Sequence, residues 1–176
     1  MTSLKIALIG MSAKPFHAGH AGLIRIASQN QDVVQVYASL TPRGSETERE
    51  FVILPDKMKQ VWDELILAKL PQNVEVVFSN NPISSIYEEL ENCIEDAEYH
   101  IYAGNDACEK SFANVQKYTN LKIDENLFIH EITRETLSEA SGTECRKALF
   151  RNDYKTFAKL MPWFVDSQRA WEILRS

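Results

Sequence analysis

The sequence predicts an α/β protein: a doubly wound parallel sheet of about five strands with helices on both faces. Three observations predict it. Short runs rich in β-branched and aromatic residues recur at Leu4–Ile9, Val33–Leu40, Val74–Phe78, His100–Ala103 and Leu127–Ile132. Segments with apolar residues at helical spacing separate these runs. The first strand, helix and second strand form a βαβ unit, whose right-handed crossover makes the two strands parallel.

The elements follow in order. Ile6–Ile9 ends at Gly10, a loop follows, and a helix runs from Gly19 or His20 to Asn30 with Leu23, Ile24 and Ala27 on one face. Residues 41–50 (TPRGSETERE) form a polar loop broken by Pro42 and Gly44. It lies on the rim after strand 2, where Arg43 and Arg49 either meet a phosphate or are solvated. A helix opens at Leu54-Pro55 and runs to about Leu70, with Pro55 at its first position. Met58, Val61, Trp62, Leu65 and Leu67 form its stripe, and Lys57 and Lys59 sit in its first turn. Asn81 and Pro82 start a third helix, Ile83 to Ile94, as cap and first residue.

Strand 4 ends in Gly104-Asn105-Asp106, and a fourth helix spans Asp106 to Lys117, with Asp106 and Glu109 in the pattern of an N-terminal cap and its partner. His100 and His130 read as core histidines with partners. From about residue 152 the chain is helical, and Trp163, Phe164, Trp171, Ile173 and Leu174 read as core or subunit contacts, which leaves a homo-oligomer open. Residues 1–176 read as a single domain.

Lys and Arg number 19 against 25 Asp and Glu, and the net charge of −6 argues against a general nucleic-acid binder. Cys93, Cys108 and Cys145 lack metal-ligand spacing and read as reduced thiols. No signal peptide or membrane-spanning run is expected, so the expectation is a cytoplasmic protein without membrane partners.

Chemistry concentrates at two places. At the first strand-to-helix junction, Pro15 and Phe16 precede His17-Ala18-Gly19-His20. Histidines three residues apart lean toward one point near a helix N-terminus, where backbone N–H groups and the helix dipole attract anions. After strand 5 comes Ser141-Gly142-Thr143-Glu144-Cys145-Arg146-Lys147. Ser141 and Glu144 have capping-box spacing, but that leaves Thr143, Arg146 and Lys147 unexplained. Cations near a helix N-terminus are disfavoured unless an anion lies between them and the dipole.

These motifs resemble the HxGH nucleotidyltransferase superfamily. His17-Ala18-Gly19-His20 matches its first signature, and Ser141-Gly142-Thr143-Glu144-Cys145-Arg146 is similar to the S-G-T-E-x-R form of its second signature in archaeal-type nicotinamide-mononucleotide adenylyltransferases. Met11-Ser12-Ala13-Lys14 departs from the Arg-Phe-Gln found there. The resemblance implies a Rossmann-like nucleotidyltransferase fold and transfer of AMP from ATP to a small phosphorylated acceptor, with Mg²⁺ on the triphosphate. It implies phosphate roles for His17, His20, Lys14 and Arg146. It also implies nucleotide contacts at Gly10, Met11, Ser12, Gly19, Gly104, Asp106, Ser141, Gly142 and Thr143, and no protein-held metal. Nicotinamide mononucleotide is the acceptor it favours; phosphopantetheine with ATP, or a CTP-dependent reaction, would use the same machinery. A nucleotide sensor without catalysis is the alternative from another class.

Overall fold

The computed structural model describes residues 3–133 and 140–176. The chain gathers into two compact units. One comprises Met1–Met11, Leu23–Ser39 and Pro71–Leu137; the other comprises Ser12–Gly22, Leu40–Leu70 and Ser138–Ser176.

The first unit holds the sheet. Its strands are β1 (Leu4–Met11), β2 (Val33–Ala38), β3 (Val74–Phe78), β4 (Ala97–Ala103) and β5 (Leu127–Glu131). All neighbours are parallel, in the order β3-β2-β1-β4-β5. The order reverses between β1 and β4, and in such sheets the carboxyl ends of the strands at the reversal open toward ligands. Pattern explains burial. Leu8, Tyr99, Ile101 and Leu127 on one face pack with Ile86 and Leu90 of helix α3 (Pro82–Glu91) and with Phe112 and Val115. Alternate residues Ala7, Ile9, Val34 and Val36 are fully buried as well, as are Ile24 and Ala27 of helix α1 (Ala18–Asn30). A doubly wound sheet needs both faces apolar, and these strands are.

The expected boundaries shift where tertiary contacts decide. β1 runs two residues beyond Ile9, so Gly10 and Met11 are strand residues; the Met11 carbonyl accepts from Ser39 N–H at 3.0 Å. A Cβ on Gly10 would lie 3.2 Å from both Pro82 and Ile86, so α3 packs closely on the strand at this glycine. Asn81 caps α3 as expected, its Oδ1 accepting from Ser84 N–H at 3.1 Å. Helix α4 (Asn105–Lys110) is much shorter than expected. Gly104 is its N-cap, and Asp106 lies inside the first turn without capping it. Beyond it, Phe112 and Val115 turn into the core, and a 3₁₀ turn at Val115–Tyr118 replaces the rest.

Among its described residues the second unit has helices and an isolated antiparallel bridge between Arg43 and Ile53. Helix α2 (Pro55–Val61) continues through a π-helical turn, Trp62–Ile66, and a 3₁₀ turn, Leu67–Lys69. Helices α5 (Gly142–Phe150), α6 (Tyr154–Leu160) and α7 (Ser167–Arg175) follow, capped by Ser141, Asp153 and Asp166. Ile173 and Leu174 are core and Trp171 packs on Phe157, while Trp163 is 92% exposed. Lys59 pairs with Asp63 on the α2 surface at 2.7 Å, which accounts for its charge locally. No described helix is long and apolar enough to cross a membrane.

His100 and His130 share a hydrogen bond of 2.8 Å between Nδ1 and Nε2, and Tyr102 stacks on His130. His100 is only half satisfied: its buried Nε2 has no hydrogen-bond partner and lies 3.8 Å from Glu98 Oε1. Burial first, then His130, lowers the His100 pKa below 6.5, with Lys5 adding and Glu98 opposing. Burial alone lowers His130. A lowered folded-state pKa means that the unfolded chain binds the proton first, so the contribution is complete above about pH 6.5 and shrinks as pH falls below it. The urea midpoint is expected to drop between about pH 6.5 and 5, and less steeply in His130→Gln. Equal slopes in the two proteins would remove the pair as the cause.

Candidate functional site

The two histidines are held by a reciprocal cap. His17 stands at the N-cap of α1, and its Nδ1 accepts from Gly19 N–H at 3.0 Å. His20, three residues on, accepts at its own Nδ1 from His17 N–H at 3.2 Å. This is the capping-box pattern with imidazoles in place of hydroxyl and carboxylate. It explains the spacing of the motif and fixes its chemistry. An Nδ1 that accepts a hydrogen bond leaves the proton of a neutral ring on Nε2, so both rings are Nε2–H donors. Burial, then His17 and Lys14, hold the His20 pKa well below 6.5, so His20 stays neutral near pH 7. The ring centroids lie 3.8 Å apart. Gly19 is required by this packing: a Cβ there would sit 2.8 Å from His17 Cε1. Phe16 backs the arrangement, stacked on His20 at 5.6 Å and tilted against Trp62 at 5.0 Å.

Lys14 is buried, only 2% exposed. Its Nζ donates to the Ser12 carbonyl at 2.7 Å. Burial and then Arg43 lower its pKa from 10.5 to about 8. Arg43 itself donates to Ser12 Oγ at 3.1 Å. Two cations thus meet at one loop, a cluster that an anion would relieve. Arg49 sits in the exposed turn of the same 41–50 loop.

The second signature opens α5. Ser141 Oγ accepts from Glu144 N–H at 3.1 Å, the first half of the capping box. Arg146 folds back across this turn, buried, with three bonds inside the protein. Its Nε donates to Glu50 Oε1 at 2.7 Å, Nη1 to the Lys14 carbonyl at 2.6 Å, and Nη2 to Thr143 Oγ1 at 3.2 Å. Gly142 makes room for it: a Cβ there would lie 2.8 Å from Nη1 and 3.3 Å from the Lys14 carbonyl. Burial pushes the Glu50 carboxyl up, but the hydrogen bond and charge of Arg146 outweigh it and the net shift is downward. Turning Arg146 away would strand a buried carboxylate, at about 3–5 kcal/mol for a broken buried pair. Cys145 beside it is fully buried, and desolvation raises its thiol to about 12, so it is inert.

The second unit therefore brings together Ser12, Lys14, His17, Gly19, His20, Ser141, Gly142, Thr143 and Arg146. Gly10, Met11, Gly104 and Asp106 belong to the sheet unit, at the carboxyl ends of β1 and β4. Gly104 and Asp106 are exposed, and a Cβ on Gly104 would meet nothing. Glu50 carries no signal in the sequence, where it reads as one more charge in a polar loop. Among the described residues no cluster of His, Cys, Asp or Glu forms a metal site. The donors gathered here are N–H groups and cations, a set suited to phosphate oxygens and unsuited to holding Mg²⁺ directly.

No protein-family model matches the chain, and no curated protein matches it in sequence. Solved structures do match in shape. A candidate nicotinate-nucleotide adenylyltransferase from Vibrio parahaemolyticus aligns over 98% of this chain and 96% of its own, with TM-score 0.59 and 17% identity. A bifunctional NMN adenylyltransferase/ADP ribose pyrophosphatase from Francisella tularensis aligns over 99% of this chain at TM-score 0.63 and 14% identity. Thermotoga maritima TmcAL, bound with alpha-thio ATP, aligns over 97% at TM-score 0.50 and 13% identity. This chain spans 51% and 55% of the length of the latter two. The shared feature is the fold: a Rossmann-like sheet of five parallel strands with helices on both sides.

The glycine contacts make a direct test. Helix propensity alone favours alanine over glycine. Here Gly19→Ala and Gly142→Ala are each expected to destabilise by roughly 1–3 kcal/mol through forced displacement of His17 or Arg146. Denaturant titration reads this out, and neutral or stabilising values would show that the turns relax freely.

Proposed function

We propose that this chain is an adenylyltransferase: it transfers AMP from ATP to the phosphate of a small acceptor, nicotinamide mononucleotide, and releases pyrophosphate. The observation that carries the reading is the pair of neutral imidazoles, each fixed as an Nε2–H donor at the start of α1. In-line attack of an acceptor phosphate oxygen on the α-phosphorus forms one P–O bond and breaks the bond to the β-phosphate. The attacking oxygen is already anionic, so the step needs donors and charge, not a general base. His17 and His20 supply donors to the transferring phosphoryl oxygens. Lys14 and Arg43 supply positive charge beside them. The N–H groups at the start of α5 face the departing phosphates from Ser141, Gly142 and Thr143. Mg²⁺ arrives as the MgATP complex and neutralises triphosphate charge.

Two further observations support the acceptor. The second signature, Ser141 to Arg146, has the form seen in nicotinamide-mononucleotide adenylyltransferases. Two of the structural neighbours carry names of pyridine-nucleotide adenylyltransferases.

The test is pyrophosphate release with Mg²⁺ and ATP or CTP against a panel of acceptors: nicotinamide mononucleotide, nicotinate mononucleotide, phosphopantetheine, flavin mononucleotide and glycerol 3-phosphate. Release is expected with ATP and nicotinamide mononucleotide. Release with CTP or phosphopantetheine instead would keep the chemistry and replace the substrate. Binding of ATP without release from any acceptor would favour a sensor. In the productive pairing, His20→Ala is expected to lower kcat by about 10²- to 10³-fold, the cost of one transition-state donor. Near-wild-type turnover would show that the site is elsewhere.

A further inference from the structure

We infer that Glu50, which lies outside both signatures, is a positioning residue for the nucleotide site: through Arg146 it holds the backbone of Lys14, and with it the turn that carries His17 and His20. The inference rests on the adenylyltransferase reading for its kinetic consequence, though not for its structural one.

The geometry is a relay of three chain segments. Glu50 takes the Nε–H of Arg146 at 2.7 Å, and Arg146 Nη1 reaches the Lys14 carbonyl, 132 residues away in sequence, at 2.6 Å. Glu50 is itself built into place. The Arg43–Ile53 bridge closes residues 43–53 into a strap, with Ile53 N–H donating to the Arg43 carbonyl at 2.8 Å. Gly44 makes the closure possible, at φ +130, where a Cβ would meet the Phe51 carbonyl oxygen at 2.3 Å. The strap then bonds α5 a second time, Phe51 N–H donating to the Arg146 carbonyl at 3.1 Å. Glu50 is 7% exposed. The other two bonds of the guanidinium go to neutral groups, the Lys14 carbonyl and Thr143 Oγ1, so among the described residues Glu50 is the carboxylate that lets a buried cation sit against the Lys14 backbone.

Removing the Glu50 charge leaves Arg146 against the Lys14 backbone with no carboxylate bonded to it. The guanidinium then moves toward water, the Lys14 carbonyl loses its donor, and Lys14 leaves its buried position. Glu50→Gln is therefore expected to lower kcat about 10- to 100-fold, the range for a small misplacement of catalytic groups. The KM for MgATP should change far less. Lys14 should titrate nearer its ordinary value of 10.5 instead of about 8. Glu50→Asp should recover part of both.

Three measurements test this on the full chain: steady-state pyrophosphate release, inhibition by inorganic pyrophosphate, and the pH titration of the Lys14 Cε resonance in ¹³C-labelled protein. A reduced kcat together with a raised Lys14 titration supports the inference. Unchanged kcat and an unchanged Lys14 titration overturn it while leaving the adenylyltransferase reading intact. A lower KM for MgATP with tighter pyrophosphate inhibition also overturns it, since Glu50 would then be competing with phosphate for Arg146. If the wild type releases no pyrophosphate with any acceptor, the functional reading fails, and the Lys14 titration alone decides the positioning role. Should Glu50→Gln not fold, Arg146→Lys keeps a charge for Glu50 but lacks the second arm. It should raise the Lys14 titration in the same way, and an unmoved titration overturns the relay.

Discussion

The buried ion pair between Glu50 and Arg146 is the constraint on which the second unit of this protein depends. Two charges taken out of water repay their desolvation only where further hydrogen bonds complete them. Here those bonds go to the Lys14 carbonyl and to Thr143. The consequences spread outward from one guanidinium. Residue 142 must be glycine, the strap must close so that Glu50 arrives, and α5 must start where it does. Such a pair contributes little net stability compared with an apolar substitute, but it specifies one arrangement of three distant segments.

Within that framework the two imidazoles take their tautomer and tilt from their own turn, while the turn itself is held through the Lys14 carbonyl. Their orientation is local, set by main-chain N–H groups of the same turn. Helix starts ordinarily satisfy these N–H groups with serine, threonine or aspartate. Here two imidazoles do so, and the same bonds that start the helix choose the tautomer. The spacing of three between the histidines, and the glycine before the second, follow from helix geometry as much as from chemistry.

This division explains what could be read from the sequence. The parallel sheet was legible because its strands are dense in β-branched and aromatic residues and segments of helical spacing separate them. The histidine motif was legible because capping is local and leaves a fixed spacing. What failed did so where distant parts of the chain decide. The resemblance gives Lys14 a phosphate role, but only packing shows that its side chain is buried. Arg146 reads as a cation waiting for phosphate, and its carboxylate partner lies 96 residues away in a stretch that resembles any charged loop. Asp106 has capping-box spacing with Glu109, yet the N-cap of α4 falls two residues earlier, on Gly104. Gly10 reads as the end of a strand, but it is the point at which α3 leans on β1.

The aromatic packing behind His20 gives the molecule an optical handle. Trp62 is wholly buried and touches Phe16, which in turn stacks on His20. Trp163 stands in water on the turn between α6 and α7. The two indoles therefore emit from opposite environments, one shielded from aqueous quenchers and one open to them. With the third indole, half-buried Trp171, replaced by phenylalanine and the Trp163 emission suppressed by iodide, the shielded component reports on the histidine turn without a label.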